Sequence, residues 1–234
     1  MLPSSLRRHP EFAELVESRK SCRICLDRDL GKIHAGASFD FDPPVISYWS
    51  QWLGHPKPQI LIVGQDFGDV DYFKKFQGTD DPENETNDFL YELLKHIGLT
   101  PERPPKPDRH TRVFLTNSIL CLKEPPMNSK PRDRWIRACA VAHLRPLADN
   151  VNPPIIVAMG GPAWLAVRIA FEIQETPERI SNAAGGMWQT AAGIRVFAVG
   201  HCGRLGQGNR PWQKQLEDWT RIGSALKLIS QRAD

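Results

Sequence analysis

Short apolar runs alternate with amphipathic helical segments along most of this chain. Residues 60–63 (ILIV) are four consecutive branched apolar residues, which is typical of a strand buried on both faces. Similar runs occupy residues 113–115, 155–159 and 196–199. Helical periodicity separates and follows them, with Gly or Pro near the segment ends. The alternation predicts an α/β domain with a mostly parallel central sheet that helices cover on both sides.

The same pattern sets approximate boundaries for the other elements. Predicted helices cover residues 11–19, 87–98, 132–149, 163–171 and 212–229, and a further strand covers residues 188–190. In the helix over residues 132–149, the residues predicted to face the core are Ile136, Val141, Leu144 and Leu147. Residues 72–85 are polar and are predicted to form a loop.

Residues 31–58 are rich in Gly, Pro and large aromatic side chains. Flexible linkers seldom carry so many large rings, so we expect an ordered insertion here. A chain of 234 residues is long enough for one sizeable α/β domain and short for two. The sequence therefore predicts a single domain over residues 1–234 that contains this insertion.

Composition narrows the class of protein. The chain has 41% hydrophobic and 24% charged residues, as expected of a soluble globular protein. It contains no apolar run of membrane-spanning length and no signal-peptide core, so we expect a cytoplasmic monomer, associated with the nucleoid if the source is bacterial. The formal net charge is only +3, so nucleic-acid binding would depend on local basic clusters.

Polar side chains follow three of the predicted strands. Asp66 follows the strand over residues 60–63, Asn117 the strand over residues 113–115, and His201 the strand over residues 196–199. In an open parallel sheet, ligands bind outside the carboxyl ends of the strands. The sequence therefore predicts one site at this edge. Taken singly, each residue is better explained as a turn former, a helix cap or a buried polar group.

The cysteines form a second candidate site. Cys22 and Cys25 make a C-x-x-C pair, whereas Cys121 and Cys139 stand alone. In the cytoplasm, such cysteines are more often metal ligands or packing groups than disulfides. A zinc knuckle normally has two close pairs, while an iron-sulfur cluster needs only four thiolates that converge in space. Spacing alone leaves zinc, an iron-sulfur cluster and four unrelated buried cysteines open.

Together these motifs resemble the uracil-DNA glycosylase superfamily. In chain order they are C-x-x-C, GQDFGDVD, KKFQG, LTNSILC, Cys139 and VFAVGHCGRLGQGNR. The likeness is greatest to the iron-sulfur branch, usually called family 4. It implies a three-layer α/β/α fold and a monofunctional hydrolase that removes uracil, or a related deaminated or damaged base, from DNA. It also implies a structural 4Fe-4S cluster on Cys22, Cys25, Cys121 and Cys139, with zinc as the alternative metal.

The resemblance also implies roles for the site residues. Asp66 stands where the family has the carboxylate that handles the attacking water, with Asp69 and Asp71 as nearby alternatives. Phe76 corresponds to the ring that stacks on the base. Asn117 corresponds to the amide that reads the hydrogen-bonding edge of uracil, and Gln65 is expected to contact the base as well.

His201 corresponds to the histidine that holds negative charge on the departing base. The segment that follows His201 is expected to contact DNA or to fill the gap left by the flipped base, through Arg204, Leu205, Asn209 and Arg210. We expect Asp66, Phe76, Asn117 and His201 to converge on one crevice sized for an extruded pyrimidine.

Two departures from the family pattern concern substrate preference. The family typically has His-Pro after the last strand, where this chain has His201 and Cys202, and Phe67 replaces a proline in the first turn. Two other functions fit the same residues: a non-catalytic, cluster-bearing DNA-damage binder and a small-molecule nucleoside or nucleotide hydrolase. Base release from a uracil-containing oligonucleotide distinguishes the three.

Overall fold

The computed structural model describes residues 10–34, 55, 57–76, 81, 83–101 and 111–231, without the side chains of residues 10–13 and 16. The predicted insertion over residues 31–58 therefore falls largely outside the described residues, as do Gln77 and Gly78 of the KKFQG motif. The fold is a five-stranded sheet with helices on both faces, which confirms the predicted three-layer α/β/α class.

The helices and strands follow the predicted order closely. The strands are β1 (Ile60–Gly64), β2 (Val113–Asn117), β3 (Ile155–Met159), β4 (Met187–Gln189) and β5 (Arg195–Val199). The helices are α1 (Pro10–Lys20), α2 (Ile24–Asp27), α3 (Val70–Lys75), α4 (Glu85–His96), α5 (Asp133–Cys139), α6 (Arg145–Val151), α7 (Gly161–Ala170), α8 (Ile180–Ala183), α9 (Arg204–Asn209) and α10 (Trp212–Ser230). A π-helical segment, Ala140–Leu144, joins α5 to α6.

The strand order in the sheet is β2-β1-β3-β5-β4. Strands β2, β1, β3 and β5 are parallel, and β4 pairs antiparallel with β5 at one edge. The chain leaves β1 toward β2 on one side and later returns to β3 on the other. This arrangement creates a topological switch point at the carboxyl end of β1, where open α/β sheets bind their ligands.

Alternate residues of each central strand enter opposite cores. In β1, Leu61 and Val63 face the core that α5, α6 and α7 complete, whereas Ile60 and Ile62 face the core formed with α4 and α10. All four are fully buried. This explains why β1 is a continuous apolar run rather than an alternating one. Burial on both faces fixes the strand rigidly beneath the loop that follows it.

Three details differ from the sequence-based expectations. Residues 70–75 form a helix rather than part of a loop, because the Asp69 side chain accepts a hydrogen bond from the Tyr72 N–H at 2.8 Å and caps it. Val141 is 64% exposed, because the buried face runs through Ile136, Ala140 and Leu144 in steps of four and Val141 lies one position beyond it. The short helices over residues 24–27, 180–183 and 204–209 are additional.

Candidate functional site

A large cleft opens at the carboxyl ends of β1, β2, β3 and β5. The described residues enclose about 1160 Å³, well beyond the volume of the single pyrimidine expected from the sequence. Asp66, Asn117 and His201 all line it. The cleft lies at the switch point of the sheet, so the fold brings together three residues that are far apart in the sequence. Its size leaves room for a nucleotide together with flanking backbone.

Asp66 lies in the turn after β1, with its carboxylate held by three donors. Its Oδ1 accepts a hydrogen bond from the Gly68 N–H at 2.8 Å, and its Oδ2 accepts one from the Gln65 side-chain amide at 2.9 Å. The Lys123 ammonium is 3.0 Å from the same Oδ2. A carboxylate has about four acceptor positions. The described residues fill three of these positions, which leaves one on Oδ1 for a water molecule or substrate.

The alternative carboxylates have other places in the structure. Asp69 is 4% exposed and caps α3, and Asp71 is exposed on the first turn of that helix. Neither is among the described residues that line the cleft. Asp66 is therefore the carboxylate of this turn that faces the site.

Asn117 ends β2 directly beside Gly64, its register partner on β1. The side chain is 4% exposed, and its Nδ2 has no hydrogen-bond partner among the residues that the structure describes. Leaving a buried amide N–H unpaired costs about 1–3 kcal/mol, so a group of this kind indicates a position where a ligand or an ordered water binds. Gly64 makes the position possible, since a Cβ there would lie 2.5 Å from Asn117 Oδ1.

His201 follows β5, with its ring fixed by its own loop. The Gly203 N–H donates to His201 Nδ1 at 3.1 Å, so in the neutral ring the proton sits on Nε2. Burial lowers the pKa of His201 from its ordinary value, and the Asp66 carboxylate opposes this with a smaller effect. The site thus contains a neutral imidazole with one N–H donor. A Cβ on Gly160 would come within 3.3 Å of the His201 Cβ, so the glycine after β3 lets the histidine approach.

The aromatic side of the cleft differs from the sequence-based expectation. The described lining includes Phe67, Tyr72 and Phe73, but not Phe76. The Phe76 ring centroid lies 4.9 Å from that of Tyr72, and the Lys75 ammonium lies over it. The structure does not bring Phe76 together with Asp66, Asn117 and His201, and its stacking role stays a prediction. Tyr72 is the ring that sequence reasoning missed, because the helix containing it was not predicted.

The segment after His201 forms one rim of the cleft. Arg204, Leu205, Asn209 and Arg210 all line it, as does Gln65 on the opposite side. Leu205 is 79% exposed. Arg204 makes two hydrogen bonds of 2.5 Å to Glu85 across the mouth of the cleft. Arg210 instead pairs with the buried Asp218 at 2.5 and 2.6 Å, so its guanidinium also serves to neutralise an interior carboxylate.

The four predicted metal-binding cysteines line one small pocket that shares no lining residue with the cleft. Cys22, Cys25, Cys121 and Cys139 all line it, together with His143. Burial raises the pKa of Cys139 to about 12, and both burial and the neighbouring cysteines raise that of Cys121. Thiols held together in this way are poor thiolates unless a cation compensates them. Across the described part of the chain, however, no group of three or more His, Cys, Asp or Glu side chains is arranged to hold a metal ion.

The chain is similar over most of its length to one known protein family. The family model of the uracil DNA glycosylase superfamily matches residues 52–220. This range contains β1 to β5 and every residue of the cleft named above. No curated protein matches the chain. None of the helices in the described ranges has the length and apolar character needed to cross a bilayer.

Proposed function

The chain belongs to the uracil DNA glycosylase superfamily, and from this premise we propose that it hydrolyses the N-glycosidic bond of uracil, or of a related deaminated or damaged base, in DNA. Members of this superfamily are usually glycosylase hydrolases, so a DNA glycosylase-type activity follows from membership. The finer assignment depends on one observation: Asn117 lines the cleft together with His201 and Asp66, and its buried Nδ2 has no hydrogen-bond partner among the described residues. We further propose that the protein acts as a monomer in the cytoplasm.

Asn117 is suited to read a pyrimidine edge. A side-chain amide offers one acceptor and two donors, and the free Nδ2 can donate to a carbonyl oxygen of the base while Oδ1 accepts from its ring N–H. Uracil presents this acceptor–donor order, whereas cytosine presents an acceptor at the ring nitrogen and is mismatched. A buried polar group built to pair with a substrate discriminates strongly, because the wrong base leaves it unsatisfied. The amide position beside Gly64 therefore supports specificity for uracil.

His201 is suited to stabilise the departing base. When the bond between the sugar C1′ and the base nitrogen breaks, the base leaves with negative charge on its ring and carbonyl oxygens. A neutral imidazole with its proton on Nε2 can donate a hydrogen bond directly to that charge. Removing one preorganised donor of this kind costs about 100- to 1000-fold in rate.

Asp66 is suited to act on the other side of the broken bond. Positive charge develops on the sugar as the base departs, and a fixed carboxylate stabilises it. The remaining acceptor position on Oδ1 can hold the water whose oxygen forms the new bond to C1′. One water proton passes to the carboxylate or to solvent, and the departing base anion takes up one proton from solvent, so that the net reaction adds one water molecule across the bond. This accounts for all atoms of the hydrolysis without a dissociable cofactor.

The rim residues are suited to hold DNA with the target base flipped out. A base inside a duplex must leave the stack before its glycosidic bond can be reached. Leu205 is exposed beside the cleft and can occupy the vacated space, while Asn209, and Arg204 on exchanging Glu85 for a phosphate, can contact the DNA backbone. This arrangement supports a polymeric substrate over a free nucleoside, because a small molecule would leave the contacts offered by the rim unused.

We also propose that the chain belongs to the iron-sulfur branch of the superfamily. Four cysteines that line one buried pocket match the ligand set of a 4Fe-4S cluster, and bound metal would compensate the thiolate charge that burial disfavours. The cluster would be structural, since its pocket lies apart from the cleft. The test is iron and acid-labile sulfide analysis with visible absorbance on anaerobically purified protein. Zinc in place of iron, or no metal, would contradict the assignment.

The activity is tested by incubating the protein with a uracil-containing oligonucleotide and cleaving the abasic sites with alkali. We expect strand cleavage with wild type and a loss of about 100-fold or more with Asp66→Asn and with His201→Gln, while both variants still bind DNA. Asp71→Asn is the matched control, because Asp71 lies in the same segment but is exposed and outside the described lining of the cleft.

Three outcomes would contradict the proposal. No base release by wild type, with DNA still bound, would indicate a damage-binding protein. Release from free nucleosides but not from DNA would indicate a small-molecule hydrolase. Equal activity of Asp66→Asn and wild type would show that another group handles the water.

A further inference from the structure

Lys123 is the largest charged side chain buried near the cleft, and none of the motifs discussed above contains it. It is 1% exposed and lies two residues after Cys121. It is not among the described residues that line the cleft. Burying a lysine is costly unless its charge and all its protons are satisfied. Its position therefore calls for a physical explanation.

Three oxygen acceptors of the described residues surround the ammonium. Lys123 Nζ donates to Met127 O at 2.7 Å and to Ser129 O at 2.6 Å, and it lies 3.0 Å from Asp66 Oδ2. The Asp66 side chain is 6% exposed in this pair. Since an ammonium has three protons, every proton is engaged. Lys123 thus joins the carboxylate of the β1 turn to the segment over residues 127–129.

The backbone of Lys123 holds the same turn. Its carbonyl accepts a hydrogen bond from the Val70 N–H at 3.0 Å, and its N–H donates to Gly68 O at 3.5 Å. Asp69 and Lys123 form a parallel β-bridge. The turn that positions Asp66 is therefore clamped by one residue through both its main chain and its side chain.

Two properties distinguish this lysine from a substrate-binding one. Met127 and Asn128 line the cleft, so the ammonium ties one wall of the cleft to the carboxylate from behind. An ammonium nitrogen has no lone pair, and the three acceptors hold all three protons on it inside the protein. Lys123 in this form cannot attack a sugar carbon. The geometry therefore favours a role for Lys123 as a fixed charge that orients Asp66. It argues against a role as a nucleophile that forms a Schiff base with the abasic site.

We propose that Lys123 is a positioning residue for the glycosylase reaction, which fixes Asp66 in the orientation that leaves one Oδ1 acceptor position facing the cleft. The inference depends on the proposed function, because it needs Asp66 to act in catalysis. It adds that the carboxylate is held through a lysine that never touches the substrate. Loss of the ammonium should lower the rate of base release without weakening DNA binding.

The experiment combines single-turnover rates, DNA dissociation constants and a double-mutant cycle. Lys123→Met keeps the length of the side chain and removes the charge, and we expect the rate to fall about 100-fold with the dissociation constant within about twofold of wild type. Lys123→Arg, which keeps a charged donor, should recover part of the rate. Lys227→Met is the matched control: Lys227 is an exposed lysine of α10 that is not among the described residues lining the cleft, and its loss should change neither the rate nor the dissociation constant.

The cycle separates positioning from general support of the fold. If Lys123 acts through Asp66, the double variant Asp66→Asn/Lys123→Met should release base no more slowly than Asp66→Asn alone, because the second change has nothing left to misplace. If the rate loss of the double variant equals the product of the two single losses, the proposal is overturned. A Lys123→Met rate equal to that of wild type would also overturn it. A covalent DNA adduct trapped by borohydride in wild type and lost in Lys123→Met would also overturn it, since the lysine would then be a nucleophile.

Two further results keep this inference separate from the proposed function. If Asp66→Asn itself retains full activity, the proposed role of Asp66 fails, whatever Lys123 does. If Lys123→Met is unfolded by circular dichroism, Lys123→Gln and Lys123→Arg replace it in the cycle. Unfolding of all three variants would show that the lysine serves the stability of the fold, which would overturn a positioning role.

Discussion

The substitution Gly64→Ala probes the Asn117 position without removing any functional group. A Cβ at residue 64 would lie 2.5 Å from Asn117 Oδ1, and real Cβ atoms essentially never approach closer than 3.0 Å. The amide or the strand must therefore move by at least about 0.5 Å, and by about 1 Å to reach ordinary contact. Gly64 lies in a strand paired on both sides, and Asn117 is held in register beside it on β2, so we expect the side chain of Asn117 to be the part that shifts.

The expected effect is a loss of catalysis larger than the loss of stability. A displacement of about 1 Å at a reacting group can cost about 100-fold in rate, whereas overpacking by one methyl typically costs about 1–3 kcal/mol in the free energy of unfolding. The assay is the single-turnover rate on uracil-containing DNA, with the urea unfolding midpoint measured in parallel.

The control is Gly161→Ala. Gly161 also lines the cleft, but the nearest atom to its added Cβ is Ile180 Cγ2 at 3.6 Å, which is ordinary contact. We expect its rate to stay within about twofold of wild type. If Gly64→Ala releases uracil as fast as Gly161→Ala, then Asn117 does not read the base from its present position and the argument for specificity is wrong.

Other predictions concern charge. Burial lowers the pKa of His201, so as the pH falls below about 6.5 the unfolded chain binds a proton at this residue before the native chain does. Between pH 7 and pH 5, wild type should therefore lose more stability than His201→Gln. Urea midpoints that fall equally in the two proteins would contradict this prediction. Arg210→Met leaves the buried Asp218 carboxylate unpaired and should cost about 3 kcal/mol in the free energy of unfolding; an unchanged urea midpoint would refute it. Arg204→Met should leave the unfolding midpoint unchanged and reduce the salt dependence of DNA binding by about 0.9 in log–log slope, and an unchanged slope would show that Arg204 makes no phosphate contact.

The sheet and its covering helices were predictable because burial on both faces leaves a clear signature. Runs such as Ile60–Gly64 and Ile155–Met159 are apolar throughout because each strand supplies both cores. The convergence of Asp66, Asn117 and His201 followed from the rule that parallel strands end at one edge. The helix over residues 70–75 was missed because its start depends on one capping carboxylate, Asp69, in a sequence rich in turn-forming residues.

Contacts between polar groups that are distant in sequence were not predictable. Nothing in the segment SILCLKEPP marks Lys123 as buried, since a lysine beside glutamate and prolines usually lies on the surface. Likewise, Arg210 reads as one more basic residue of a DNA-binding loop, and its pairing with Asp218 appears only in the fold. Such pairs depend on which side chains the packed elements bring together, and periodicity carries no information about that.

The segment from Cys121 to Lys123 connects the cysteine-lined pocket to the cleft, which affects how experiments on these cysteines are interpreted. One of its ends lines that pocket, the other holds the carboxylate of the cleft, and a single residue, Leu122, separates them. Oxidising or alkylating Cys121 therefore disturbs a group next to the one that anchors Asp66. Loss of activity after such treatment can be explained by displacement of Lys123 and Asp66. A role for electron transfer in the reaction is not needed to explain it.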